Sequence, residues 1–281
     1  MVPGSPTKVR ARRFAIGLIV AHLVLALAAV LLFAPGFSDY KWPRWQSIFL
    51  ESLASSQVAL TTAVLFIGSF SLVWRIAAAA TVLMFWLSVL DAIGFREENW
   101  LFIFAIQLAG IGACLAIARI FGARLTCASA AEVVLRERQK LRFSMRQMLL
   151  ATLAVSLLLG VYTAIGKLPD FHESLDRGVL PRAQALGIVL VLIALFAVWT
   201  AFGTGRRMAP FLLLILVTLL GSYTIANTDR MYRTAWWSAL TRESYQMAYL
   251  YLVFLYALFV SLSLAVLRIG GYRFARRSES P

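Results

Sequence analysis

The stretch RIFGARLTCASAAEVVLRERQKLRFSMRQ, Arg119 to Gln147, is the long polar interruption in an otherwise apolar chain. Seven basic residues fall in it (Arg119, Arg124, Arg136, Arg138, Lys140, Arg142 and Arg146) against Glu132 and Glu137. Lysine and arginine resist passage through a bilayer, so a connector this basic is expected to stay on the cytoplasmic side and to set the direction of each helix around it. It also divides the chain. Residues 1–125 read as a first transmembrane half, 126–146 as a basic cytoplasmic connector, and 147–281 as a second half with a short basic tail.

Composition narrows the class. Of 281 residues, 61% are apolar and 14% charged, and the mean hydropathy is +0.80, well outside the range of soluble domains. The net charge of +14 does not point to nucleic acid, because the basic residues lie in short loops between apolar runs and do not gather on one folded face. It points to retention of those loops inside and to attraction for anionic headgroups. Two cysteines, Cys114 and Cys127, predict neither a disulfide framework nor a metal site.

The expected fold is all-α, a polytopic transmembrane bundle of eight spans. Phe14 to Ala34 is the first, following the basic residues Lys8, Arg10, Arg12 and Arg13. An alternative, signal-peptide cleavage after Ala26-Leu27-Ala28, is disfavoured because Ala29 to Phe33 continue the apolar run. Ser47 to Ala92 as one helix would be roughly 69 Å long against a hydrocarbon core of about 30 Å, so it must fold back. The turn is placed around Gly68 to Arg75, giving spans at Ser47 to Ile67 and Ile76 to Phe95. Asn99 to Ala118, Gln147 to Ile165, Leu186 to Phe202, Phe211 to Ala226 and Gln246 to Leu267 complete the set. This topology puts eighteen of the 27 lysines and arginines inside, so the parity, with both termini cytoplasmic, is held by charge even where single boundaries are not.

Two segments repeat. Arg119-Ile120-Phe121-Gly122-Ala123-Arg124-Leu125 closes span four and Arg268-Ile269-Gly270-Gly271-Tyr272-Arg273-Phe274 closes span eight. Both read R-I-x-G-x-R-apolar, which suggests two copies of one four-helix unit. Because four is even, the copies would be parallel repeats about an axis along the membrane normal. The plainer explanation is that basic, glycine-ended helices in lipid resemble one another.

Residues able to carry chemistry are sparse. His22, Gln57 and Gln107 are strongly polar side chains inside spans; they would either converge on a polar substrate or make ordinary interhelical hydrogen bonds, and the second is favoured. Glu51 and Asp91 fall near outer helix ends, where water or headgroups can solvate them. The loop Asp170-Phe171-His172-Glu173-Ser174-Leu175-Asp176 offers Asp170, His172, Glu173 and Asp176 for a divalent cation or for acid and base work. No metal-site spacing such as H-E-x-x-H accompanies it, and outer loops of this topology are acidic in any case. Arg136, Arg138, Lys140, Arg142 and Arg146 are expected to contact anionic lipid, with Ala131 to Leu141 as either an interfacial amphipathic helix or a solvated loop. No phosphate-cradling loop, nucleophile elbow or dinucleotide fingerprint occurs, so no cofactor is expected.

Phe143-Ser144-Met145-Arg146-Gln147-Met148-Leu149-Leu150 resembles a short F-S-(L/I/M)-R-x-(L/M)-L entry into transmembrane helices of many bacterial membrane proteins. The resemblance covers about a dozen residues and implies a bacterial cytoplasmic-membrane location, without an activity. The element also makes physical sense alone, since Ser144 can cap the helix while Arg146 pins it at the headgroups. The expectation is a non-catalytic structural or accessory component of the inner membrane, working through lipid, a protein partner or a homo-oligomer. The alternative is a small transporter of an apolar or amphiphilic substrate between the two halves, and a membrane enzyme built on the Asp170 to Asp176 loop is a third.

Overall fold

Hydrocarbon offers backbone amides and carbonyls no partners, so an apolar run that enters it closes its hydrogen bonds within itself as a helix. A computed structural model describes residues 6–33, 45–67, 72–92, 97–120, 123–127, 179–202, 208–232 and 242–276. They form helices α1 (Pro6–Phe33), α2 (Trp45–Ile67), α3 (Leu72–Ala92) and α4 (Glu97–Ile120), strand β1 (Ala123–Cys127), helices α5 (Val179–Phe202), α6 (Met208–Tyr232) and α7 (Arg242–Ile269), and strand β2 (Tyr272–Arg276). Each of these seven helices is long and apolar enough to cross a membrane. The expected span Gln147 to Ile165 and the whole connector from 128 onward lie outside the described residues.

The helices run beyond several expected boundaries. The first begins at Pro6, and α3 begins at Leu72, so Arg75 belongs to its first turn and not to the preceding loop. The fifth begins at Val179, with Pro181 in its first turn, where a missing amide hydrogen does no harm. It takes in Arg182, which precedes the expected span Leu186 to Phe202. In the same way α6 continues to Tyr232 and takes in Asp229. The hydropathy of a segment falls before its helix ends, because a helix can carry charged residues one turn past the apolar core when neighbours partner them.

Helices α2, α4, α5 and α7 form the core, packed as α2 on α4, α4 on α5, α5 on α7 and α7 on α2. Flanking helices complete it: α3 lies on α2 and α4, α6 on α5 and α7, and α1 on α7 and α2. Among the described spans the second helix is the most enclosed, whereas α1 and α6 present rows of exposed Leu, Ile, Val and Phe, including Ile19, Leu23, Leu31, Leu212, Leu216 and Leu220. Such rows suit contact with lipid.

At one end of the bundle β1 and β2 pair antiparallel, with Leu125 opposite Phe274. This two-stranded ribbon was not expected from the sequence, and β1 runs across the boundary drawn between the first half and the connector. A Gly270-Gly271 turn leads from α7 into β2: Gly271 adopts φ 98°, a conformation that favours glycine, and its amide donates to the Arg268 carbonyl at 3.0 Å. A Cβ at Gly270 would stand 2.8 Å from Cβ of Phe14, so the start of α1 closes against this turn.

Arginines finish the helices beside the ribbon. The Arg119 guanidinium donates to the Phe66 carbonyl at 2.7 Å, and the Arg75 guanidinium donates to the Leu65 carbonyl. Arg268 donates to the Ala201 carbonyl. These carbonyls sit in the last turns of α2 and α5, where no intrahelical donor is left and a cation also suits the helix dipole.

Candidate functional site

Three polar groups interrupt the apolar interior. The first joins α1, α2, α3 and α7. Trp86 Nε1 donates to Gln57 Oε1 at 2.9 Å, and Gln57 Nε2 donates to the His22 carbonyl at 3.1 Å. His22 Nε2 lies 2.8 Å from Ser263 Oγ, which itself donates to the Phe259 carbonyl at 2.7 Å. A serine hydroxyl has one proton, so with that proton on the Phe259 carbonyl the imidazole would donate through Nε2–H. Among the described residues Nδ1 is left with no partner, which suits a neutral ring.

The second lies toward the other end of α5, α6 and α7. Arg182 Nε is 3.6 Å from Asp229 Oδ1, and the guanidinium carbon stands 5.7 Å above the Tyr249 ring. Asp229 and Tyr249 are buried. Desolvated carboxylates persist only with a compensating charge, and the stacked phenol ring holds that charge in place.

The third is in the middle of the four-helix core. On α2, Ser52 Oγ reaches the Leu252 carbonyl of α7 at 2.9 Å while Gln57 faces α1 and α3. At 100° per residue, Glu51 and Ser55 then fall on the remaining side, toward α4 and α5. Both are buried, Glu51 at 1% exposure. This corrects the expectation that Glu51 is solvated at a helix end, whereas Asp91 is exposed as expected. Across the core, the buried Tyr256 donates to the Leu190 carbonyl at 2.9 Å, and Gln107 is fully buried with no hydrogen-bond partner for either amide atom among the described residues.

The structure therefore brings His22 and Gln57 together and leaves Gln107 apart from them. Asp170, His172, Glu173 and Asp176 lie outside the described residues, as do Arg136, Arg138, Lys140, Arg142 and Arg146 and the Phe143 to Leu150 element. Among the described residues no three His, Cys, Asp or Glu side chains gather as a metal site would need. Arg182, Asp229, Trp86, Tyr249 and Tyr256 were missed. For Arg182 a signal existed, because Pro181 after an apolar pair reads as a helix start; for the aromatic residues none did, since phenol and indole groups within apolar spans carry no mark of which helix they face.

No protein-family model matches the chain, and neither curated proteins nor solved structures include a match. What the fold and its interior define is a class: a polytopic helical membrane protein, with some of its buried polar groups tied between helices.

Proposed function

We propose that the chain is an eight-span protein of the bacterial cytoplasmic membrane, built from two parallel four-helix repeats with both termini in the cytoplasm, and that it serves as a non-catalytic structural or accessory component acting through lipid or protein partners. The repeat is supported by matching contacts. Arg119 and Arg268, the first residues of the two R-I-x-G-x-R segments, each bond the penultimate carbonyl of a core helix, Phe66 of α2 and Ala201 of α5. Packing of α4 on α5 has its counterpart in α7 on α2, and α3 on α2 and α4 has its counterpart in α6 on α5 and α7. Leu125 and Phe274, the last residues of the two segments, face each other in the ribbon, as a two-fold axis along the membrane normal requires.

The observation that carries the accessory role is the closeness of the seam between the halves. A Cβ at Gly110 would come within 2.9 Å of Val191, and one at Gly187 within 2.9 Å of Ile106. At these points α4 and α5 are held by van der Waals contact, which supports a packed seam over a cleft between the halves. Transport is favoured instead by the buried Glu51 and Gln107, since ionisable and polar groups at membrane depth are commonly kept for a purpose. Native mass spectrometry of protein released from mild detergent distinguishes the two. Retained phospholipid or a protein partner is expected; a soluble organic solute held one to one would overturn the accessory role in favour of transport.

Orientation has its own test. With Lys140→Cys as the reporter in a chain whose two cysteines are replaced by serine, a membrane-impermeant maleimide added to intact cells should leave position 140 unmodified and should react only after the cells are opened. Reaction in intact cells would end the topology.

A further inference from the structure

We propose that the gap between Gln107 and Ser55, in the middle of the four-helix core, is a binding site for a water molecule. The two residues occupy positions that are matched in the other half. Gln107 stands twelve residues before Arg119, and Tyr256 twelve before Arg268; Ser55 stands eleven before Phe66, and Leu190 eleven before Ala201. Those four reference residues are the two arginines and the two carbonyls that they bond. In the second half the matched positions meet, Tyr256 Oη on the Leu190 carbonyl at 2.9 Å, so by the repeat Gln107 and Ser55 would face each other in the first half.

A phenol carries its oxygen farther from the backbone than glutamine carries its amide, so a water between Gln107 and Ser55 would supply the reach that Tyr256 has directly. Ser55 Oγ, Gln107 Oε1 and Gln107 Nε2 are all buried with no hydrogen-bond partner among the described residues. Leaving such groups bare in an apolar interior is strongly unfavourable. A buried water typically makes two to four hydrogen bonds, and these three atoms supply one acceptor, one donor pair and a hydroxyl able to do either. The inference rests on the repeat proposed above, through its matched contacts, and not on the accessory role.

Water-edited solid-state NMR of glutamine-labelled protein in lipid bilayers reads the site directly, with the Gln107 side-chain signal assigned by its loss in Gln107→Tyr. Polarisation should pass from water to the Gln107 amide, while Gln57, whose amide is bonded to Trp86 and His22, receives little. No transfer to Gln107 overturns the proposal. A second measurement uses the same variant: the phenol of Gln107→Tyr should displace the water as Tyr256 fills the matched space, leaving the Tm unchanged or raising it by about 2–4 °C. A fall of that size, or failure to fold, would mean that the gap does not exist and would equally overturn it.

Discussion

Replacing Arg182 with methionine should destabilise the protein by about 3 kcal/mol, the scale on which a buried ion pair responds when one member is removed. Asp229 is only 4% exposed at its side chain, so the variant leaves its carboxylate in the interior without the guanidinium 3.6 Å away. Methionine matches the length of the lost stem, so the change is chiefly one of charge and of the contact with Tyr249. Asp229→Leu should have a smaller effect, because Arg182 keeps 31% of its side-chain surface and can reach water or headgroups with its charge intact. The double variant Arg182→Met, Asp229→Leu should regain most of the loss, since an apolar pair of similar volume has no desolvation to offset. Unfolding midpoints of the four proteins in one detergent or bilayer test this. A stable Arg182→Met single variant, or a double variant no better than it, would show that the pair does not hold α5 to α6.

Gly187→Leu should have an effect of similar size by a different route. The Cβ alone would meet Ile106 at three atoms, Cδ1 and Cγ2 at 2.9 Å and Cβ at 3.0 Å. Isoleucine is branched at Cβ and has one strongly preferred rotamer in a helix, so it cannot swing aside, and α4 and α5 must move apart. Overpacking of this kind costs about 1–3 kcal/mol, and leucine, with three further carbons, belongs at the upper end. Two comparisons make the outcome specific to the seam. At Gly112 the obstacle is the far edge of the Phe66 ring, Cε2 at 2.5 Å and Cζ at 2.8 Å, which can rotate, so Gly112→Ala should lose less. At Gly17 nothing lies within 4 Å, and Gly17→Leu on the lipid face should be neutral or gain up to about 1 kcal/mol from helix propensity. Equal midpoints for Gly187→Leu and Gly17→Leu would remove the close seam from the argument.

The proposed repeat rests on a thin signal joined to a geometric one. Seven residues that match in sequence, R-I-x-G-x-R-apolar, are weak as a pattern because glycine and arginine end many membrane helices. Their geometry is more discriminating: both leading arginines bond carbonyls at the ends of α2 and α5, and both closing residues meet in the ribbon. No reading of residue types could have shown that these two segments touch, as most of the second half separates them in the chain. Likewise Ser55 and Leu190 share nothing as residues, and only their distance from the bonded carbonyls relates them.

By itself the sequence determined that the chain is helical and crosses lipid repeatedly, because the energy of placing an apolar run in hydrocarbon is a sum over the run and needs no knowledge of neighbours. His22 and Gln57 could be picked out for the same reason, as polar exceptions within apolar sums. The tertiary structure alone decided where Glu51, Arg182 and Asp229 stand, because burial of a charge near a helix end depends on what packs beside it. Lipid and protein interior are alike in hydropathy, so α1, exposed to lipid, and α2, enclosed by other helices, look the same until the helices are set side by side.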